Sequence, residues 1–355
     1  MRVSSRLVSY WIVYRLGSTI VTTTMIAAVV HPNVLNASTP ANKVVATVTV
    51  GQQPTSVAVT PASDAVYVTN LASNTVTVIN ASLNTVVATI AVGQSPGSVA
   101  ITPNGEIAFV SNATDSTVSV VSTATKSVTT TFLVGQFPFA VAVTPDGTQL
   151  YVSVHGALTS RTDGGVWIID TSSFAVLNKI QTNSRPRDIR FTADGTSAYV
   201  LDENSFVTQI DTASQKIVRT KIGAGQITNP VGLVISPDAS TLYVANYRKH
   251  VLALSAVSGS LLKSISIFPS SVPYANRALA GLSITPNGDF LYASDEDTSE
   301  VTMVDTSTEK RSGSPISLQP YPVYSAVAPN GNYLYIAALG TNNGNGTVTV
   351  VDIQQ

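Results

Sequence analysis

From residue 43 onward the chain consists of short runs, five to eight residues long, rich in Val, Ile, Ala, Thr and Tyr. Within each run apolar residues alternate with hydroxyl residues or follow one another directly. That pattern predicts strands covered on one or both faces. The clearest stretch predicts four in succession, at residues 55–60, 65–70, 75–80 and 85–92. Turn chemistry separates them. Pro61 has no N–H to give a ladder and ends the first strand, and the Asp-Gly or Asn-Gly pairs after the matching prolines supply the positive φ of a tight hairpin. The third strand ends in Asp followed by Thr at Asp170-Thr171, Asp211-Thr212 and Asp305-Thr306, where the carboxylate accepts backbone N–H groups and closes the next turn.

This unit recurs. Val59-Thr60-Pro61 is echoed by Ile101-Thr102-Pro103, Val143-Thr144-Pro145, Phe191-Thr192-Ala193, Ile235-Ser236-Pro237, Ile284-Thr285-Pro286 and Val327-Ala328-Pro329, at steps of 42, 42, 48, 44, 49 and 43 residues. A period in the low forties made only of short strands and turns is the signature of four-stranded propeller blades. Seven copies predict an all-β fold, a seven-bladed β-propeller of four-stranded antiparallel blades. The last copy has three strands, near residues 323–328, 333–338 and 347–352, and lacks an outer one. Lys43-Val44-Val45-Ala46-Thr47-Val48-Thr49-Val50-Gly51 matches the outer-strand phrase at residues 84–93 but precedes the first inner strand. An N-terminal outer strand therefore completes the last blade, since two open sheet edges would otherwise invite aggregation.

Composition narrows the class. Charged residues are 11% of the 355, against an average near 25%, and the formal net charge is −1, so no global field draws the chain to nucleic acid or an anionic membrane. There is no cysteine, which removes disulfides, thiolate ligands and a cysteine nucleophile. Arg2, Arg6 and Arg15 precede an uncharged run over residues 16–30, broken by His31-Pro32. This reads as a secretory signal with a short linker over residues 1–41, ahead of a propeller over 42–355, and implies a secreted, periplasmic or cell-surface protein. At 15 residues the run is short for a stable membrane span.

Tyr67-Val68-Thr69-Asn70 spells the phrase of the YVTN family of β-propeller repeats, varied at Phe109-Val110-Ser111-Asn112, Tyr151-Val152-Ser153, Tyr199-Val200-Leu201-Asp202 and Tyr243-Val244-Ala245-Asn246. The chain resembles that family over residues 43–353. The resemblance implies a secreted or periplasmic bacterial propeller or an archaeal surface-layer one, similar in architecture to propeller lactonases and to the haem d1 domain of nitrite reductases. It specifies fold and leaves activity open.

Few residues carry chemistry. Gly93-Gln94-Ser95-Pro96-Gly97 has the form of a nucleophile elbow, but Pro96 has no N–H to offer an oxyanion. The glycine-rich stretch 340–346 has no lysine and no following helix, so it reads as a hairpin loop. His155 and His250 each stand alone, Asp295-Glu296-Asp297 lacks the alternation of a calcium loop, and only Trp11 and Trp167 are present. No metal, cofactor or catalytic residue is expected, haem and quinone included.

The remaining signal is an asymmetry. Residues 43–150 hold six charged residues and residues 161–311 hold 29. An inner-strand position that is Ala58, Ala100, Ala142, Val234, Ser283 and Ala326 elsewhere is Arg190 in blade 4, preceded by Arg185-Pro186-Arg187-Asp188. Alternation puts Asp188 and Arg190 on one face and Arg187 on the other. Propeller architecture would gather Phe137, Phe139, His155, Arg185, Arg187, Asp202, Glu203, Asn229, Asn246, Tyr247, Arg248, Tyr274, Arg277, Asp295, Glu296, Tyr321 and Tyr324 around one channel mouth. Of these Arg185, Arg187, Arg277, Tyr247, Asp202 and Asp295, with Arg190, form a candidate ligand site. Structural pairing of Arg190 with Asp188 or Asp202 is the alternative.

The sequence thus leads to a non-catalytic binding or surface-interaction propeller, a monomer whose partner is a protein, a glycan or a small anionic ligand. A lactonase-like hydrolase at the charged mouth is the second reading. Nucleic-acid binding through the blade 4 and 5 arginines is the third, weakened by the interleaved Asp188, Asp202 and Glu203.

Overall fold

The computed structural model describes residues 8–16, 19–27, 39–156, 164–182, 184–247, 250–268, 278–341 and 344–354. It divides into two units, Met1–Ser38 and Thr39–Gln355. In the first, Val8–Leu16 and Thr19–Ala27 pair as an antiparallel hairpin. The second is a seven-bladed propeller, and no helix among the described residues is long and apolar enough to cross a membrane.

Blade 1 consists of Pro54–Val59, Ala65–Asn70, Thr75–Asn80 and Thr85–Ala91, paired in that order. The inner strands of blades 2 to 7 are Pro96–Ile101, Pro138–Val143, Pro186–Phe191, Pro230–Ile235, Leu279–Ile284 and Pro322–Val327. In blade 6 the outer strand is broken into Lys310–Arg311 and Ile316–Ser317, both pairing with Glu300–Asp305. Blade 7 is completed as expected. Lys43–Gln52 pairs with Asn345–Asp352 in a register that sets Thr47 opposite Thr349 and Val48 opposite Val348.

Seven apolar clusters fill the seven interfaces between blades, and each draws residues from two neighbours. Tyr67, for example, packs with Val99, Ala108 and Val110 of blade 2, while Val66 and Val68 face Tyr335 and Val350 of blade 7. The recurring phrase thereby acquires a physical meaning. Its aromatic ring and valine fill opposite interfaces, each burial contributing roughly 1.5–3 kcal/mol. Thr69 lies 3.1 Å from the hydroxyl of Thr55 on the inner strand, and the Asn70 amide donates to the hydroxyls of Thr75 and Thr77 at 3.1 and 2.9 Å.

Each inner strand also carries a β-bulge just after its first residue, shown by a register shift in all seven blades. A bulge puts two residues opposite one and breaks alternation. Hence Arg187 does not turn away from Asp188 and Arg190 as strict alternation requires. All three line the axial channel.

Candidate functional site

The inner strands of all seven blades surround an axial channel of about 480 Å³. Its wall is mainly small residues and hydroxyls, such as Ala58, Ala100, Ser98 and Ser325, and its charged residues are Arg187, Asp188 and Arg190. At one end a wider cavity of about 620 Å³ spreads over blades 4 to 7, lined by Arg187, Glu203, Asn229, Pro230, Val231, Tyr247, Leu279, Ala280, Glu296, Val323 and Tyr324. Arg187, Val231 and Tyr324 border both spaces.

Six residues grouped from the sequence, Arg187, Glu203, Asn229, Tyr247, Glu296 and Tyr324, thus share one cavity wall. Arg185 stands beside them, 4.0 Å from the Glu203 carboxylate. The guanidinium of Arg187 lies 5.7 Å over the Phe139 ring, a cation–π geometry. Burial raises the Glu296 carboxyl above the usual range, and the charges of Asp297 and Asp295 raise it further. Burial also raises the Tyr324 hydroxyl, with Arg187 and Arg190 pulling the other way, so this phenol stays protonated and can donate.

Other grouped residues serve the scaffold. Arg190 pairs with Asp188 at 3.2 Å and donates to the Leu233 carbonyl at 3.1 Å. Asp202 and Asp295 are 1% and 3% exposed and line neither space. They end their second strands where Asn70 ends its own. Asp202 accepts the Asn204 amide at 2.7 Å. Asp295 accepts the amides of Ala278 and Asp297 and the Thr298 hydroxyl at 3.2, 3.0 and 2.6 Å. Arg277, Tyr274 and Arg248 lie outside the described residues.

His155 is half-buried beside this wall. Its Nε2 lies 3.0 Å from the Pro186 carbonyl, and its ring stacks on Phe139 with centroids 5.0 Å apart. Burial lowers its pKa, outweighing Glu203, so the ring is neutral at pH 7. Bonding to a carbonyl assigns the proton to Nε2 and leaves Nδ1 as the basic nitrogen. Ser95, the serine of the apparent elbow, accepts a hydrogen bond from the Thr114 hydroxyl at 2.8 Å. Among the described residues no group of three or more His, Cys, Asp or Glu side chains is arranged to hold a metal ion.

Fold and site define a closed seven-bladed propeller whose channel mouth carries arginine, glutamate and tyrosine side chains. The chain belongs to the cytochrome D1 heme domain family, whose family model matches residues 152–355. It is also similar to a chain of Kuenenia stuttgartiensis hydrazine synthase, at 19% identity and a TM-score of 0.74, over 90% of this chain and 99% of that one. At that identity the likeness shows the fold alone. No curated protein matches.

Family membership corrects the reading as a non-catalytic binding scaffold, because the family is defined by a haem domain. The sequence argument had required a set of histidines at ligand spacing. Haem iron can be held by one proximal imidazole, which leaves no spacing to read. The donors near the mouth fit such a group in kind, with Arg187 on the cavity wall and His155 and Arg185 packed behind it, lining neither space. A haem held through histidine takes a neutral imidazole, and ligating histidines commonly donate their other ring N–H to a backbone carbonyl, as His155 does to Pro186. It also needs cations for its carboxylates, and Arg185 and Arg187 stand there.

Proposed function

We propose that this propeller holds a haem-class tetrapyrrole at the blade 4 to 7 mouth and serves redox chemistry there. The observation that carries the reading is His155, a neutral imidazole with its Nε2–H held by Pro186, set beside Arg185 and Arg187. When bound, the iron of such a group supplies electron transfer and a position for small ligands. The chain's own residues do the rest. Phe139 and Pro186 fix the orientation of the His155 ring, Arg185 and Arg187 meet the tetrapyrrole carboxylates, and Val231, Leu279 and Val323 keep water from one wall. Tyr247 and Tyr324 offer hydroxyls at the same wall.

Titration of the purified chain with haem, followed at the Soret band, tests this. Saturable binding with an imidazole-type spectrum is expected. His155→Ala should abolish that spectrum, and Arg187→Gln should weaken binding about ten-fold, the scale of one charge-assisted hydrogen bond. No saturable change in the wild-type chain would refute the reading. A spectrum that survives His155→Ala would refute the ligand assignment.

An exported location belongs to the same reading, with residues 1–41 as a signal peptide and short linker. We also read the repeats before residue 152, outside the matched span, as YVTN-type blades of the one propeller. The same reading takes the propeller as a monomer.

A further inference from the structure

We infer that the outer wall of blades 4 to 6, away from the channel and its mouth, is a docking surface for a protein that presents carboxylates around apolar side chains. The outer strands of these blades are Lys216–Ile222, Leu261–Ile265 and the broken pair Lys310–Arg311 and Ile316–Ser317. The outer strands of all seven blades hold eight cations and no carboxylate, and six of the eight, Lys216, Arg219, Lys221, Lys263, Lys310 and Arg311, stand on blades 4 to 6. All six are exposed except Arg219, which is half-buried.

Edge protection does not account for this clustering. Lysine on an edge strand discourages pairing with another chain. Yet Thr85–Ala91 and Ser127–Leu133, the outer edges of blades 1 and 2, carry no charge, and a bulge already twists each of them. On the other side of the ring two contacts join three edges into one wall. Arg219 Nη1 donates to the Ala256 carbonyl of blade 5 at 3.3 Å, and Lys263 of blade 5 reaches Glu309 of blade 6 at 3.9 Å. The other flanking carboxylates serve hairpins or the ladder: Asp211 accepts the Ser214 amide at 2.8 Å, Asp305 accepts the Thr308 amide at 2.9 Å, and Glu300 stands opposite Ser317. Six cations against these four carboxylates leave an excess of two positive charges, in a chain whose net charge is −1.

Among the cations Val218, Val257, Leu261 and Leu262 are exposed. Apolar side chains find cover in a protein and not in a polysaccharide or a nucleic-acid backbone, while the surrounding cations speed encounter and fix register. An anionic lipid surface would meet Asp211, Asp305 and Glu309 together with the cations, whereas a protein can set its carboxylates opposite the cations alone.

The probe is a soluble fluorescent peptide of alternating glutamate and leucine, followed by anisotropy at low salt. A second peptide has serine for leucine, and vesicles of phosphatidylglycerol in phosphatidylcholine serve as competitor. The leucine peptide should bind about ten-fold more tightly than the serine peptide. Lys216→Glu combined with Lys310→Glu should weaken it about ten-fold. Leu262→Ser should shrink the preference for leucine, and Lys126→Glu, in a hairpin of blade 2, should change nothing. All are surface substitutions, checked by unchanged circular dichroism. Failure of the leucine peptide to bind, equal affinity for the two peptides, an equal loss from Lys126→Glu, or displacement of the peptide by vesicles would each overturn the inference. None of these residues lines the channel or the mouth cavity and the assay needs no tetrapyrrole, so its failure and that of the haem reading are separate results.

Discussion

Asp188 and Leu233 lie on neighbouring inner strands, and the carboxylate of the first accepts the amide proton of the second at 3.3 Å. Blades 1 and 2 make the same link with a hydroxyl: Ser56 accepts from Val99 at 3.4 Å, and Ser98 from Val141 at 3.5 Å. Blade 4 thus replaces a neutral inter-blade staple with a charged one, and Arg190 balances it while bonding the Leu233 carbonyl.

Arg190→Gln should therefore lower unfolding stability by about 1 kcal/mol, a modest figure because the Arg190 side chain is 48% exposed. Asp188→Ser combined with Arg190→Ala should recover most of that loss by restoring the staple of blades 1 and 2. Denaturant midpoints of the three proteins decide. A double variant less stable than Arg190→Gln would show that the ion pair does more than join strands.

Asp202 replaces the asparagine of Asn70, Asn112 and Asn246, and its burial pushes the carboxyl up to about 6. An unfolded carboxyl titrates near 4. The folded state therefore resists ionisation: the penalty is absent below about pH 4, grows through pH 6 and is constant above. Asp202→Asn should stabilise the protein by about 2 kcal/mol at pH 8 and leave it unchanged near pH 4. Thermal melts at the two pH values check this, and a gain of equal size at both would remove titration as its cause.

Deleting residues through Val50 removes most of the strand that pairs with Asn345–Asp352, whereas deletion through Ala41 spares it. The first truncation should lower the melting temperature sharply and the second should not. Equal melting temperatures would contradict closure by this strand.

Protein recovered outside the cytoplasm should lack roughly its first 30 to 41 residues if the arginine-flanked uncharged run directs export. Intact mass measures this directly. A full-length mass would show the segment is retained.

The fold was legible because a propeller repeats itself. The match between residues 43–51 and 84–93 foretold that the N-terminal strand completes the last blade, and the structure adds the register that sets Thr47 opposite Thr349. The site was legible only in part. Loop order brought Arg187, Tyr247 and Glu296 to one cavity, but Asp202 and Asp295, equally close in the text, close turns instead. Their alignment with Asn70 held that signal. The position of Arg187 escaped alternation because the bulge after Pro186 has no residue signature of its own. His155 escaped because its partners, Phe139 and the Pro186 carbonyl, come from two other strands.

The strand that completes blade 7 has a kinetic meaning. Thr47 and Thr349 stand 302 residues apart, so the closing strand leaves the ribosome long before its partner exists. Each blade can assemble its own hairpins from local contacts, but the ring stays open, with the apolar faces of blades 1 and 7 bare, until residues 345–352 arrive. A nascent or truncated chain therefore keeps an open ring, and closure comes in one late step when its last strand meets its first.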